Sequence, residues 1–231
     1  MTIEKRQLSE QNDNFIMLPT VDFCFKELMQ NKEVRKGILS ALLGRNPEEL
    51  EDTELLPTIL QPEYQDEKLG ILDVRVLFAD GTQTDLEMQV VQFDFWSNRV
   101  LFYLGKMYTG QIKRGEPYEK LKKCIHVSIL DFLHFPKDDR CFRKITFCDV
   151  ETGEIYTDLM EIYVLELGKL PTEDRNESGI IRWMRFLSGK CKEDLKKKIY
   201  KGRVQYNVSA FKNNELLNKL IGITINNSSN I

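Results

Sequence analysis

Residues 71–91, ILDVRVLFADGTQTDLEMQVV, decide the fold. Two runs of strand-forming residues flank Ala79-Asp80-Gly81, and an Asp-Gly pair between alternating apolar runs predicts a β-hairpin. A two-residue loop would mix charges with core residues on both faces of the hairpin. A three-residue loop, with Gly81 in the left-handed position of a type I turn plus bulge, instead places Phe78 opposite Thr82. The burial pattern therefore selects the three-residue loop.

This register separates an apolar face from a polar face, because side chains alternate along a strand. The apolar face pairs Leu72 with Met88, Val74 with Leu86, and Val76 with Thr84. The polar face places Asp73 opposite Glu87 and Arg75 opposite Asp85, with Gln89 two residues beyond Glu87.

Two carboxylates directly opposite each other on neighbouring strands lie roughly 5 Å apart at Cβ and repel each other. We expect Arg75 and Asp85 to pair, which leaves Asp73 and Glu87 in need of a cation. A hard divalent metal fits oxygen ligands of this kind, since Mg²⁺ is held by one or two carboxylates plus waters and substrate phosphates. The alternative is an exposed hairpin whose polar face meets solvent.

The composition is that of a globular protein and excludes several classes of function. The chain has 231 residues, of which 42% are hydrophobic and 30% charged, enough for one domain with an appendage. No apolar run approaches the roughly 20 residues of a membrane span, and the N-terminus has no signal core, so we expect a cytoplasmic protein without membrane contact. With a net charge of −3, nucleic-acid binding would need a local basic patch.

The cysteines and histidines give little support for other chemistry. The five cysteines are scattered and form no Cys-x-x-Cys pair, which indicates reduced thiols. The two histidines lack zinc-type spacing, and His126 alternates with apolar residues, as a structural histidine does. Without a Walker or dinucleotide glycine motif, no organic cofactor is expected.

The rest of the chain predicts helices packed on a mixed sheet. The predicted elements are a helix over about 23–43 capped by Thr20 or Asp22, a strand over 55–60, a helix over about 96–114, a central strand over 123–130, a second hairpin over 143–150 and 154–167, and a short helix over 180–187. Phe93, Phe95 and Trp96 form an exposed-looking aromatic group before the second helix, in which Arg99, Tyr103 and Lys106 are close in space.

Five segments together carry a resemblance to a known family. Asp73, then Glu87-Met88-Gln89 on a paired strand, then a helix with Arg99 and Tyr103, resembles the PD-(D/E)XK nuclease superfamily. The segments DFCFKELM (22–29), ILDVRV (71–76), LEMQV (86–90), LFYLGKMY (101–108) and CIHVSILDF (124–132) resemble, in this order, the recombination-promoting nuclease and transposase family of bacteria. The similarity covers roughly residues 15–187.

The resemblance implies an α/β fold with a restriction-endonuclease-like core, a mixed central sheet flanked by helices, and an extra C-terminal β-hairpin and helix. The nuclease-like domain would span residues 15–189, after a flexible tail over 1–14. Residues 190–231 would form a basic tail that departs from the long, charged helical tail of the family, as in a divergent or truncated copy. The basic residues of this stretch either contact phosphates or form a solvated helix face.

The resemblance also implies site residues. Asp73 and Glu87 would be catalytic and ligate Mg²⁺ or Mn²⁺. Gln89 would be the third catalytic residue, standing where the general motif has lysine, and could orient a water or a phosphate oxygen only by hydrogen bonds. The accessory candidates are Asp22, Arg99, Tyr103 and Lys106, and the DNA-binding candidates are Lys68, Lys113 and Arg114. Simple helix capping is the alternative role of Asp22, and a plain surface lysine that of Lys68.

The function so implied is a metal-dependent DNA endonuclease of a mobile element, transposase-like and recombination-promoting, with a homodimer cutting two strands. The first alternative is a catalytically inactive, DNA-binding or protein-interaction relative of a transposase. The second is a regulator or toxin-like module that acts through protein contacts.

Overall fold

The hairpin predicted at residues 71–91 is present and forms two strands, β4 (Val74–Leu77) and β5 (Gln83–Gln89). The strands are antiparallel, and Val74 pairs with Leu86, which is the register predicted from the three-residue loop. Gly81 closes that loop with a φ of +84°, a conformation that glycine adopts without strain. Register and turn are therefore both confirmed.

The hairpin lies inside a six-stranded mixed sheet of the computed structural model, which describes residues 18–62, 64–172 and 176–190. The strand order is β1 (Glu54–Leu56), β4, β5, β6 (Cys124–Leu130), β8 (Ile155–Glu166) and β7 (Phe142–Cys148). Strand β6 is parallel to β5 and to β8, and the other pairs are antiparallel. Strands β2 (Ile59–Leu60) and β3 (Gly70–Ile71) form a separate antiparallel pair.

Helices cover both faces of the sheet. They are α1 (Asp22–Gln30), α2 (Lys32–Leu43), α3 (Trp96–Thr109) and α4 (Gly179–Leu187), with short 3₁₀ turns at Pro47–Leu50, Tyr118–Lys120 and Leu167–Lys169. One face packs against α1, α2 and α4 through a core that includes Phe25, Leu39 and Trp183. The other face packs against α3 through residues such as Leu104 and Met107. The α/β fold with a mixed, helix-flanked sheet is confirmed.

The first helix differs from the prediction, which was one helix over 23–43. The chain breaks at Asn31, whose backbone is extended, and α1 and α2 are separate helices. The Asn31 side-chain oxygen accepts the N–H groups of Glu33 and Val34 at 2.9 and 3.2 Å, so it caps α2. Val21 is the N-cap of α1, so the predicted cap by Thr20 or Asp22 is wrong.

The other elements agree with the prediction to within a few residues, with two exceptions. The strand predicted over 55–60 is divided between β1 and β2, and the helix predicted over 96–114 ends at Thr109. Trp96, predicted to be exposed, is buried. None of the helices among the described residues is long and apolar enough to cross a bilayer. The tails predicted over 1–14 and 190–231 lie outside the described residues, apart from Lys190.

Candidate functional site

Asp73 and Glu87 meet where the segment before β4 runs beside the end of β5. Asp73 comes directly before β4, at a bend that ends the pairing with β5. Its backbone N–H donates to Glu87 Oε1 at 3.1 Å, and its carboxylate Oδ2 accepts the N–H of Met88 at 3.1 Å. Each carboxylate thus bonds the backbone of the opposite segment, and the structure brings the two predicted acids together.

Arg99 approaches Glu87 from helix α3. One guanidinium nitrogen of Arg99 donates to Glu87 Oε2 at 2.9 Å. The guanidinium also lies 5.0 to 5.7 Å from the ring centres of Phe93, Trp96 and Tyr103. Aromatic faces attract cations at such distances, so the rings and Glu87 together fix the position of Arg99.

The charge state of Glu87 is strongly affected by its surroundings. The pKa of Glu87 is raised to about 7, first by burial and then by the negative charges of Asp73 and Asp85. His126 and Arg99 act against this rise. Because burial and repulsion penalise the carboxylate form, the site favours a species that supplies positive charge.

Lys26 joins the site from helix α1. Its ammonium lies 3.1 Å from Asp73 Oδ1 and 2.8 Å from Asp22 Oδ1. Burial lowers the pKa of Lys26, but the two carboxylates outweigh this and raise its pKa overall, so the ammonium stays charged. The pKa of Asp73 is raised by burial, against the effect of Lys26. Asp22, the predicted accessory acid, therefore reaches the site through Lys26.

Gln89 follows Glu87 by two residues on β5, so its side chain leaves the same face of the strand. Its amide nitrogen donates to the carbonyl of Val91 at 3.0 Å, within the loop that follows the strand. Its backbone carbonyl accepts the N–H of Asp131 at 2.9 Å, which joins this loop to the end of β6. Gln89 is near the acids but carries no charge.

A buried polar chain lies beside Glu87 on the face that α3 covers. His126 Nδ1 is 2.8 Å from Asp85 Oδ2, and His126 Nε2 is 2.9 Å from Ser128 Oγ, with all three residues 0% exposed. Arg75 donates to Gln83 instead, at 2.7 Å, so the predicted pairing of Arg75 with Asp85 is wrong. The alternative of a solvent-exposed polar face is also wrong, while His126 has the satisfied, structural environment that was predicted.

The remaining predicted residues lie apart from the acids. Lys106 is held in an ion pair with Glu67. Lys68 is exposed in the segment before β3. Lys113 and Arg114 are exposed beyond the C-terminal end of α3, whereas Arg99 lies near the start of that helix. DNA contact by Lys68, Lys113 and Arg114 stays a prediction.

The donor atoms around the acids suit a hard divalent cation. Asp73, Glu87 and the side-chain amide of Gln89 offer oxygen atoms, the ligands that Mg²⁺ and Mn²⁺ prefer. In residues 18–62, 64–172 and 176–190 there is no cluster of three or more His, Cys, Asp or Glu side chains that could hold a metal. A cation here would have two carboxylates and complete its shell with water and phosphate oxygens, as Mg²⁺ does. The residues therefore fit such an ion.

Lys26 had no predicted role, and His126 was predicted only as a structural histidine, without its partner Ser128, although the sequence contains a signal for each. Lys26 follows Asp22 by four residues, which places the two side chains on one face of a helix. His126 and Ser128 are two residues apart on a strand and so share a face. Their partners on other elements, Asp73 and Asp85, could not be identified from spacing.

Comparison with known proteins places these residues in a family. A family model described as PD-(D/E)XK nuclease family transposase matches residues 19–221, most of the chain. The match includes α1, the hairpin and all the residues of the site. No curated protein and no solved structure gives a significant match.

Proposed function

The chain belongs to the PD-(D/E)XK nuclease family transposases, and from this premise we propose that it is an endonuclease that hydrolyses DNA with the help of Mg²⁺ or Mn²⁺. Family membership itself gives a nuclease- or transposase-like role with DNA as the substrate. The metal dependence, the hydrolysis and a use in DNA recombination are the proposal. A homodimer, with one site for each strand, is part of it.

One observation carries the proposal: the repelling carboxylates of Asp73, which is partly buried, and Glu87, which is buried. Each bonds the backbone of the opposite segment, so their positions are fixed before any ligand binds. The pKa of each is raised by burial, and that of Glu87 also by repulsion from Asp73. A site that holds two such acids together has a cost in stability, which a bound cation would remove.

In this proposal, each residue of the site would have a separate role in the reaction. Asp73 and Glu87 hold the cation, which when bound supplies a Lewis acid for the phosphate and lowers the pKa of water beside it. Gln89 orients a water or a phosphate oxygen through its amide group. Arg99 keeps Glu87 in place through their 2.9 Å bond, and the aromatic rings around Arg99 keep its guanidinium from turning away.

Cleavage of supercoiled plasmid DNA tests the proposal. We expect nicking in Mg²⁺ or Mn²⁺, none with a chelator, and a loss of at least about 100-fold in rate for Asp73→Ala and for Glu87→Gln, because each change removes a charge that the transition state needs. Asp52→Asn, which removes an exposed carboxylate outside the site, should cleave like the wild type. Cleavage that persists in chelator or in Asp73→Ala would contradict the proposal.

A second function is favoured by one specific observation. Lys26 and Arg99 already pair with the two acids, so the acids have cationic partners without a metal, as a relative that no longer cleaves DNA would need. DNA binding that weakens with rising salt but gives no cleavage in any divalent metal would support this DNA-binding relative instead.

A further inference from the structure

The cationic side chains in and near the site differ in their partners and therefore in how easily they could contact a phosphate. The guanidinium of Arg99 is bonded to Glu87 and lies among three aromatic rings. Lys106 is paired with Glu67, and its side chain is 15% exposed. The side chain of Lys26 is 38% exposed and lies 3.1 Å from Asp73. Arg99 is nearly as exposed, at 33%, but three aromatic rings surround its guanidinium, whereas the ammonium of Lys26 is held by carboxylates that a phosphate can replace.

The position of Lys26 is set by the packing of α1. The neighbouring residues Phe25 and Met29 are both 0% exposed and hold the helix against the sheet. Asp22, one turn earlier, accepts hydrogen bonds from the Lys26 ammonium at 2.8 and 3.0 Å and keeps it directed along the helix toward Asp73. The three N–H donors of the ammonium face three carboxylate oxygens, two of Asp22 and one of Asp73, so a phosphate oxygen would take the place of one Asp22 oxygen.

Phosphodiester hydrolysis builds negative charge on the phosphate oxygens, and fixed positive groups beside the phosphate lower the barrier. Gln89, whose amide already donates to Val91, brings no charge to this position. A cation that supplements the metal has to come from another element.

We propose that Lys26, presented by α1 beside Asp73, is the cation that contacts the scissile phosphate and supplies the positive charge that Gln89 lacks. This inference rests on the proposed nuclease function. In it, Asp22 is a positioning residue, since it acts by holding the ammonium. When DNA binds, the ammonium of Lys26 donates a hydrogen bond to a phosphate oxygen while it stays close to Asp73.

Three variants at this position test the proposal: Lys26→Met, Lys26→Arg, and Lys26→Met combined with Gln89→Lys. We expect Lys26→Met to lower the single-turnover cleavage rate by about 100-fold or more, as does the removal of one fixed donor to a developing negative charge. Lys26→Arg keeps the charge and should retain more of the rate. Lysine at position 89 should restore at least tenfold of the rate that Lys26→Met loses, because it returns a positive charge to the same site.

A measurement without metal gives a second readout. The slope of log K for DNA binding against log salt should become less steep by about 0.9 in Lys26→Met, the amount expected for one lost phosphate contact. Lys32→Met is the matched control, because Lys32 is an exposed lysine on α2 that pairs with Glu51, away from the acids. It should change neither the cleavage rate nor the slope beyond the error of the measurement.

The outcomes separate the inference from the nuclease proposal. Unchanged cleavage and an unchanged salt slope in Lys26→Met would overturn it. A second set of results would also overturn it: an equal loss of cleavage rate in Lys26→Met and Lys26→Arg, no rescue by Gln89→Lys, and an unchanged salt slope. Lys26 would then only hold Asp73 in place. If the wild type fails to cleave under any condition, the nuclease proposal fails, and the salt slope alone decides whether Lys26 contacts phosphate.

Discussion

The burial, the partners and the raised pKa of Glu87 reflect the properties of the whole site. Its carboxyl group is almost completely buried, it accepts the backbone N–H of Asp73, and Arg99 is its one cationic partner among the described residues. Nevertheless its pKa is raised to about 7, so burial and the neighbouring acids prevail over Arg99. A buried carboxyl group with a perturbed pKa next to a second acid is typical of a functional site.

The pH dependence of stability follows from this shift. Because the pKa of Glu87 rises from 4.5 to about 7 in the folded state, its protonated form stabilises the fold. This contribution is fully present below pH 4.5 and is lost as the pH rises through 7. At about 1.4 kcal/mol per pKa unit, it amounts to about 3 kcal/mol. Between pH 4.5 and 8, we expect the free energy of unfolding, measured with urea, to decrease more for the wild type than for Glu87→Gln. The difference between the two decreases should be about 3 kcal/mol.

The glutamine side chain does not titrate, so Glu87→Gln is the reference for the wild type across the pH range. Parallel stability curves for the wild type and Glu87→Gln would show that the pKa of Glu87 is not raised in the folded protein. The comparison is made without divalent metal, because a bound cation would favour the ionised form and remove the difference.

At the scale of elements, the chain breaks between α1, which carries Lys26, and α2. Asn31 ends α1 with an extended backbone and caps α2 through its side chain. The two helices can then pack on the sheet in different directions, and α1 runs past Asp73. A single continuous helix would fix both directions together.

Asn31→Ala tests the role of this cap. Replacement of a capping asparagine by alanine typically costs about 1 kcal/mol, because the N–H groups of Glu33 and Val34 lose their acceptor. We expect a loss of that size in the free energy of unfolding, measured with urea. Asn98→Ala, an exposed position inside α3, is the control and should be neutral or slightly stabilising, since alanine favours the helix. Equal effects of the two changes would contradict a capping role for Asn31.

The sequence predicted the elements whose causes are local. The register of β4 and β5 follows from side-chain alternation and an Asp-Gly turn, and both act within about twenty residues. The break at Asn31 is local too, but the apolar stripe continues through it on both sides, so periodicity alone does not reveal it. The hairpin pattern placed Asp73 and Glu87 face to face and indicated a cation between them, and the family resemblance implied their catalytic role.

The partners of Asp85 and Lys26 depend on contacts between distant segments. Asp85 bonds His126 because β6 lies parallel to β5, a neighbour 41 residues away. Arg75 donates its hydrogen bond to Gln83, while Asp85 is bonded to His126. Similarly, Lys26 meets Asp73 because α1 packs beside the hairpin. No spacing in the sequence encodes which strand or helix lies next to which.

At the scale of the molecule, helix α3 packs over the polar face of the hairpin and buries it. Trp96, Leu104 and Met107 are buried between the helix and the sheet, and Asp85 and Glu87 lie beneath them. Solvent therefore screens the charge of Glu87 only weakly, and a cation that binds Glu87 and Asp73 would stabilise the whole fold.

Mg²⁺ should therefore raise the stability of the protein in the absence of DNA. A ligand present at one hundred times its dissociation constant stabilises the state it binds by about 2.7 kcal/mol. We expect a rise in Tm that saturates with increasing Mg²⁺ and disappears in Asp73→Asn, measured by calorimetry. Asp52→Asn should keep the full shift, because it changes an exposed carboxylate outside the site. A shift of equal size in Asp73→Asn would place the ion elsewhere.

Strand β6 also sets the order in which the molecule assembles. Its two neighbours, β5 and β8, pair with it in parallel across long stretches of chain, whereas each hairpin closes over a short turn. Long-range parallel pairing is slow, so we expect the hairpins to form first and the middle of the sheet to close last. Until then, a newly made chain has its acids on an open ribbon exposed to water. We therefore expect the site around Asp73 and Glu87 to acquire its buried environment only in the last stage of folding.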